Sequence, residues 1–190
     1  MTGASGSIYA VRFLKEAANH FDEIYLMATR QALQVAATEL SAAVSPENFT
    51  VAGLLGSEHP NIKALKTDDF FTPPASGSFV HDGMVVVPCS MGTLGRIAHG
   101  TSDDLITRAA DVCLKERRRL VLVPREMPLS LTMIQNMALV TQAGAIVLPA
   151  MPAWYGRPTT LEDLADTVVA RMLQAVGVSQ GIVKPWMSDA

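Results

Sequence analysis

The chain has 190 residues, of which 49% are hydrophobic and 17% charged, and a formal net charge of −3. That length builds one domain with a full core, and so apolar a composition excludes a disordered chain. No window approaches the roughly 18 apolar residues of a membrane span, and the mild acidity argues against a nucleic-acid binder. The sequence opens with "TGASG" (2–6), a small-residue loop that leads into a helical pattern over 7–19, with Ile8, Val11, Leu14 and Ala18 on one face. "EIYLMA" (23–28) reads as a strand and 29–40 as a second helix. Residues 41–75 carry Pro46, Gly53, Gly56, Pro60, Pro73 and Pro74, and read as a short helix, a short strand and loops. Beyond them, 83–88 ("GMVVVP"), 119–124 ("RLVLVP") and 145–149 ("AIVLP") are continuous apolar runs, the pattern of strands buried on both faces. Helical patterns at 91–99, 103–116 and 130–142 separate them. A last helix over 160–176 starts at Thr160 as N-cap, with Glu162 and Asp163 in its first turn.

Strands alternating with helices predict an α/β domain spanning 1–190, with a parallel sheet and right-handed crossovers. Three of the strands end in proline followed by polar residues. In a parallel sheet those ends share one edge, where ligands bind. Ser90, Thr93, Arg125, Glu126 and Tyr155 are therefore expected around one crevice. The basic run Lys115–Arg119 reads as a helix end rather than a nucleic-acid patch. The apolar surplus predicts a homo-oligomer. Cys89 and Cys113 form no CxxC pair, and no signal peptide is visible, so a reducing cytoplasm is the expected compartment.

Several chemistries lack their residues. His20, His59, His81 and His99 are scattered without ligand spacing, so no metal is expected. There is no GxSxG, no Walker A and no GxGxxG. "GASG" alone is either a phosphate loop or a tight turn. The hydroxyls of Ser5, Ser90 and Thr93 suit one phosphate, and the cations Lys115, Arg125 and Arg171 suit a second. Arg125 and Glu126 read either as a cation and a proton-transfer acid or as a surface ion pair at a strand end.

The motifs "TGASGS.YA.R" (2–12), "PPASGS" (73–78), "PCSMGTL" (88–94), "RAADVCLKERR.LVLVPRE.P" (108–128) and "P..WY.RP" (152–158) resemble the UbiX-type flavin prenyltransferases, in order and over nearly the whole chain. The resemblance implies a three-layer Rossmann-like (flavodoxin-like) fold, assembled as a cytoplasmic homododecamer with sites between subunits. It implies metal-independent transfer of a dimethylallyl group from dimethylallyl phosphate to N5 and then C6 of reduced FMN. The prenylated FMN would pass to a UbiD-type decarboxylase. By motif, Gly3, Ala4, Ser5, Ser90, Thr93 and Arg125 would contact the flavin, with Thr29 where the family usually has Ser. Tyr155, Arg171, Lys115 and Arg125 would hold the prenyl phosphate. Glu126 would transfer the proton, with Ser5 and Glu39 as further catalytic groups.

Two departures stand out. Arg119 occupies a position that is commonly Pro in the family. Family members also carry an apolar strand directly before "TGASG", whereas only Met1 and Thr2 precede the loop in this numbering. The expectation is a central strand of roughly 5–6 residues upstream of Met1. Two further readings compete: an FMN-dependent decarboxylase of cysteinyl peptides or pantothenoylcysteine, and a non-catalytic flavin-binding partner of a decarboxylase. "PPASGS" lacks the asparagine expected for the first. The presence of Lys115, Arg125, Tyr155 and Arg171 speaks against the second.

Overall fold

The structure is a computed structural model that describes residues 1–40, 42–184 and 187. In chain order the elements are α1 (Ser7–Ala17), β1 (Ile24–Met27), α2 (Arg30–Leu40), α3 (Val51–Leu55) and β2 (Ile62–Leu65), then a 3-10 turn (Pro73–Ala75). β3 (Gly83–Cys89), α4 (Met91–Ala98), α5 (Leu105–Lys115), β4 (Arg119–Pro124), α6 (Leu131–Ala143), β5 (Ile146–Val147) and α7 (Leu161–Ala175) complete them. The irregular stretch thus holds the short helix and short strand its composition predicts. β5 is shorter than its apolar run: the regular ladder with β4 covers Ile146 and Val147, beyond which the Leu148 and Ala150 N–H groups still donate to the Leu122 and Pro124 carbonyls.

All strand pairs are parallel. β4 shows why the fold has three layers. Leu120 and Leu122 enter one apolar cluster with α4, α5 and α6, whereas Val121 and Val123 enter another with α1, α2, α3 and α7. Alternate side chains of a strand point to opposite faces, so a run apolar at every position is buried on both.

Side-chain caps set the helix starts. Ser90 and Ser130 accept from Thr93 and Met133 N–H groups. Asp104 with Thr107, and Thr160 with Asp163, form reciprocal capping boxes. Gly6 enters α1 at φ 108°, a left-handed conformation that a Cβ disfavours.

The strands form two groups, β1–β2 and β3–β4–β5. Met1 and Thr2 join them. The Met1 nitrogen donates to the Met27 carbonyl at 2.6 Å, and the Thr29 N–H donates to the Met1 carbonyl at 3.1 Å. The Thr2 N–H donates to the Pro88 carbonyl at 3.1 Å. The two residues lie where the end of a central strand belongs. α6 departs from an ordinary amphipathic helix: of its residues only Val140 is fully buried, while Leu131, Ile134 and Leu139 are exposed.

Candidate active site

The first half of the site is organised by Thr2, which the sequence reading did not single out. Its hydroxyl donates to the Pro88 carbonyl at 2.9 Å and accepts from the Ser90 N–H at 2.7 Å. The side chain therefore fastens the "GASG" loop to the turn between β3 and α4. On the other side, Gly3 packs against the first turn of α2, and a Cβ built there would lie 2.6 Å from the Gln31 Cβ. Thr29 begins that helix, its hydroxyl accepting from the Ala32 N–H at 3.1 Å. Gly3, Ala4, Ser5, Thr29 and Ser90 are thus gathered at the carboxyl ends of β1 and β3; of these only Ser90 was expected there from the strand edge, the others from the motifs.

Glu39 reaches the same loop from α2. Its carboxylate accepts from the Gly6 N–H at 3.0 Å and from the Ser7 N–H at 2.8 Å. Burial raises the Glu39 pKa, but hydrogen bonds from the Ser5 side chain and from the Ser7 and Gly6 amides hold it below the usual carboxylate range. A carboxylate seated on the α1 amides compensates that helix N-terminus. Of the "GASG" amides, that of Gly6 is thereby occupied and that of Ala4 donates to the Thr2 carbonyl at 2.8 Å, so the loop is not a fully open phosphate cradle. The start of α2 has no acidic residue in its first turn, and it carries the Thr29 hydroxyl and Arg30. That N-terminus is therefore the better suited of the two to an anion.

Thr93 lies deeper than its motif implies. It is 2% exposed, accepts from Ser90 Oγ at 3.1 Å and accepts from Arg96 at 3.2 Å. It supports Ser90 rather than facing a crevice. Arg125 follows β4, and its charge acts on Tyr9, whose pKa is raised by burial and lowered by Arg125. Tyr9, on the first turn of α1, is thus placed near Arg125; the "GS.YA" motif carried it without a role. Glu126 is exposed and accepts from the Met127 N–H at 3.1 Å.

The second half of the site adjoins Arg125. The Ala150 N–H donates to the Pro124 carbonyl at 3.0 Å, so the segment after β5 runs beside the residue before Arg125. From there a cleft of about 620 Å³ opens between that segment and α7, and both Tyr155 and Arg171 line it. The Arg171 guanidinium donates to Gln174 Oε1 at 2.9 Å. α7 is held to α1 by Arg12 and Asp166, where Nε donates to Oδ1 at 2.8 Å.

Lys115 is not brought to this edge within one chain. It ends α5, four residues before β4 begins, and its amine packs against Glu116 and Gly77. Arg125 lies past the other end of β4, roughly 20 Å away at about 3.3 Å per residue. Among the described residues no group of three or more His, Cys, Asp or Glu could hold a metal ion. No helix of these residues is long and apolar enough to cross a membrane.

Known proteins agree with this geometry. Residues 1–184 match the family model described as Flavoprotein. The flavin prenyltransferase UbiX of Thermoplasma acidophilum is 45% identical over 186 residues, covering 98% of this chain and 97% of the relative. The crystal structure of AnUbiX (PadA1) in complex with FMN and dimethylallyl pyrophosphate superimposes with a TM-score of 0.87. It is 41% identical, and the match covers 98% of this chain and 94% of that one. A dodecameric FMN-dependent UbiX-like decarboxylase from Escherichia coli O157:H7 gives a TM-score of 0.85 at 35% identity, covering 99% and 100%. With both halves of the site on one strand edge and similarity along nearly its whole length, the chain belongs to the Flavoprotein family and, within it, to the UbiX flavin prenyltransferases.

Proposed function

We propose that the enzyme transfers a dimethylallyl group from dimethylallyl phosphate to reduced FMN, with the ring system bound over "GASG", Ser90 and Arg125. The FMN phosphate is assigned to Thr29 and the start of α2. The observation that carries the reading is the cleft lined by Tyr155 and Arg171, which opens from the segment bonded to the residue before Arg125 and offers a place for a leaving phosphate.

Reduced FMN supplies the nucleophilic N5 and then the C6 carbon of the new ring. When the allylic C–O bond breaks, phosphate departs with the bonding pair. Arg125 and Arg171 stabilise that developing charge, and Tyr155 orients the group. Bond formation at N5 would release the N5 proton, and ring closure would then place one proton on the former double bond and remove one from C6. We assign these transfers to Glu126, beside the phosphate, and to the Ser5–Glu39 pair at the loop. Thr93 acts by holding Ser90.

Lys115 serves this scheme only from a neighbouring copy, because its own chain places it at the opposite edge. The exposed apolar residues of α6 supply surface for such an assembly, and a dodecamer is the state proposed. The prenylated product suits a UbiD-type decarboxylase as its user, in the cytoplasm.

The test is anaerobic. Protein, reduced FMN and either dimethylallyl phosphate or pyrophosphate are incubated, and the extracted flavin is weighed by mass spectrometry. A gain of one prenyl unit is expected. Unmodified FMN with both donors would refute the reading.

A further inference from the structure

Ser90 offers a ligand only one kind of hydrogen bond. A serine hydroxyl has one proton and two lone pairs. The Ser90 proton goes to Thr93 Oγ1 at 3.1 Å, and one lone pair accepts from the Thr93 N–H at 3.3 Å. A single lone pair is left, so toward the crevice Ser90 is an acceptor. Arg96, in the last turn of α4, holds this arrangement from behind. Its Nη2 donates to Thr93 Oγ1 at 3.2 Å, and a guanidinium accepts nothing in return. With Arg96 and Ser90 both donating to it, the buried Thr93 oxygen has both lone pairs filled, and its own proton points to neither.

Arg96 is itself clamped. Its Nη1 donates to Asp104 Oδ2 at 3.0 Å and to Asp103 Oδ1 at 2.5 Å. Asp104 is in turn fixed as the N-cap of α5 by its capping box with Thr107. Two carboxylates match the guanidinium charge on the spot, so Arg96 acts on the crevice through hydrogen-bond direction rather than through its field.

We propose that Arg96 is a positioning residue that keeps Ser90 an acceptor, and that Ser90 thereby favours reduced over oxidised FMN. This inference rests on the function proposed above. Flavin N5 presents a lone pair when oxidised and an N–H when reduced. An acceptor-only hydroxyl pairs with the N–H and is repelled by the lone pair. Ser90 belongs at that edge of the ring because its N–H is tied to Thr2 Oγ1 at 2.7 Å, at the root of the "GASG" loop. The groups assigned to proton transfer at N5 and C6 are on the same loop: Ser5 lies in it, and Glu39 is bonded to its Gly6 amide at 3.0 Å.

The test is the midpoint potential of FMN bound to the protein, measured anaerobically without a prenyl donor, together with separate affinities for the oxidised and reduced flavin. Arg96→Met removes the donor and keeps the bulk, whereas Arg96→Lys returns a donor. Thr93→Val keeps the N–H that caps α4 and frees the Ser90 proton to face the ring, whereas Thr93→Ser keeps the hydroxyl. Arg96→Met and Thr93→Val are each expected to weaken reduced relative to oxidised FMN about tenfold. For a two-electron couple that lowers the potential by about 30 mV. Arg96→Lys and Thr93→Ser are expected to stay near the native potential. Equal weakening of both flavin states, the result of a merely structural loosening, would overturn the proposal, and so would four variants at the native potential. Should Thr93→Val not fold, the two Arg96 variants decide alone, since that side chain is partly exposed. A native protein that binds FMN but transfers no prenyl group would refute the proposed function and would leave the potentials unaffected, so the two failures are distinguishable.

Discussion

Replacing Thr2 by valine tests whether one buried hydroxyl couples the flavin loop to the β3–α4 turn. The side chain is 1% exposed, and valine matches its shape. The substitution removes the bond to the Pro88 carbonyl and leaves the Ser90 N–H without its acceptor. A buried hydrogen bond contributes about 1 kcal/mol net, and an orphaned donor costs about 1–3 kcal/mol. The added methyl recovers part of this, so a loss of about 2–3 kcal/mol is expected. For a chain of this size each kcal/mol moves the thermal midpoint by about 2–4 °C, giving a fall of roughly 4–12 °C. Thr2→Ser keeps the hydroxyl and should fall by much less. FMN affinity, followed by quenching of flavin fluorescence, should weaken in the valine variant and recover in the serine variant, because Ser90 is positioned through this bond. Valine and serine variants with equal midpoints and equal FMN affinity would refute the coupling.

Other outcomes follow from the same geometry. Glu126→Gln should lower prenyl transfer by about 10²–10⁴-fold in single-turnover assays while FMN still binds. Gly3→Ala places a Cβ 2.6 Å from Gln31 and should displace the start of α2, seen as weaker FMN binding in titrations. Lys115→Ala and Arg125→Ala should each be inactive alone, yet regain activity when co-expressed, since mixed assemblies contain sites with both native residues. Co-assembled protein that stays inactive would place Lys115 outside the site.

Much of the architecture is legible in the linear chain, because its determinants are local. Apolar runs such as "RLVLVP" announce strands buried on both faces, and Thr160 and Asp163 announce the start of α7 before any packing is known. Parallel strands then oblige Ser90 and Arg125 to share an edge. Motif order supplied the family and the residue set. What the linear chain does not carry is long-range distance. Only the folded chain seats Glu39 on the amides of Gly6 and Ser7, so the flavin phosphate is assigned to α2. Only the fold turns Thr93 inward and sends Lys115 to the far end of β4, since "LKERR" and "PRE" look adjacent in sequence while a strand separates them. Thr2 carried no signal, because a lone hydroxyl becomes informative only when the backbone groups it satisfies, 86 and 88 residues away, arrive beside it. Side-chain periodicity is written locally, but which groups end up desolvated together is decided by the packing of distant segments.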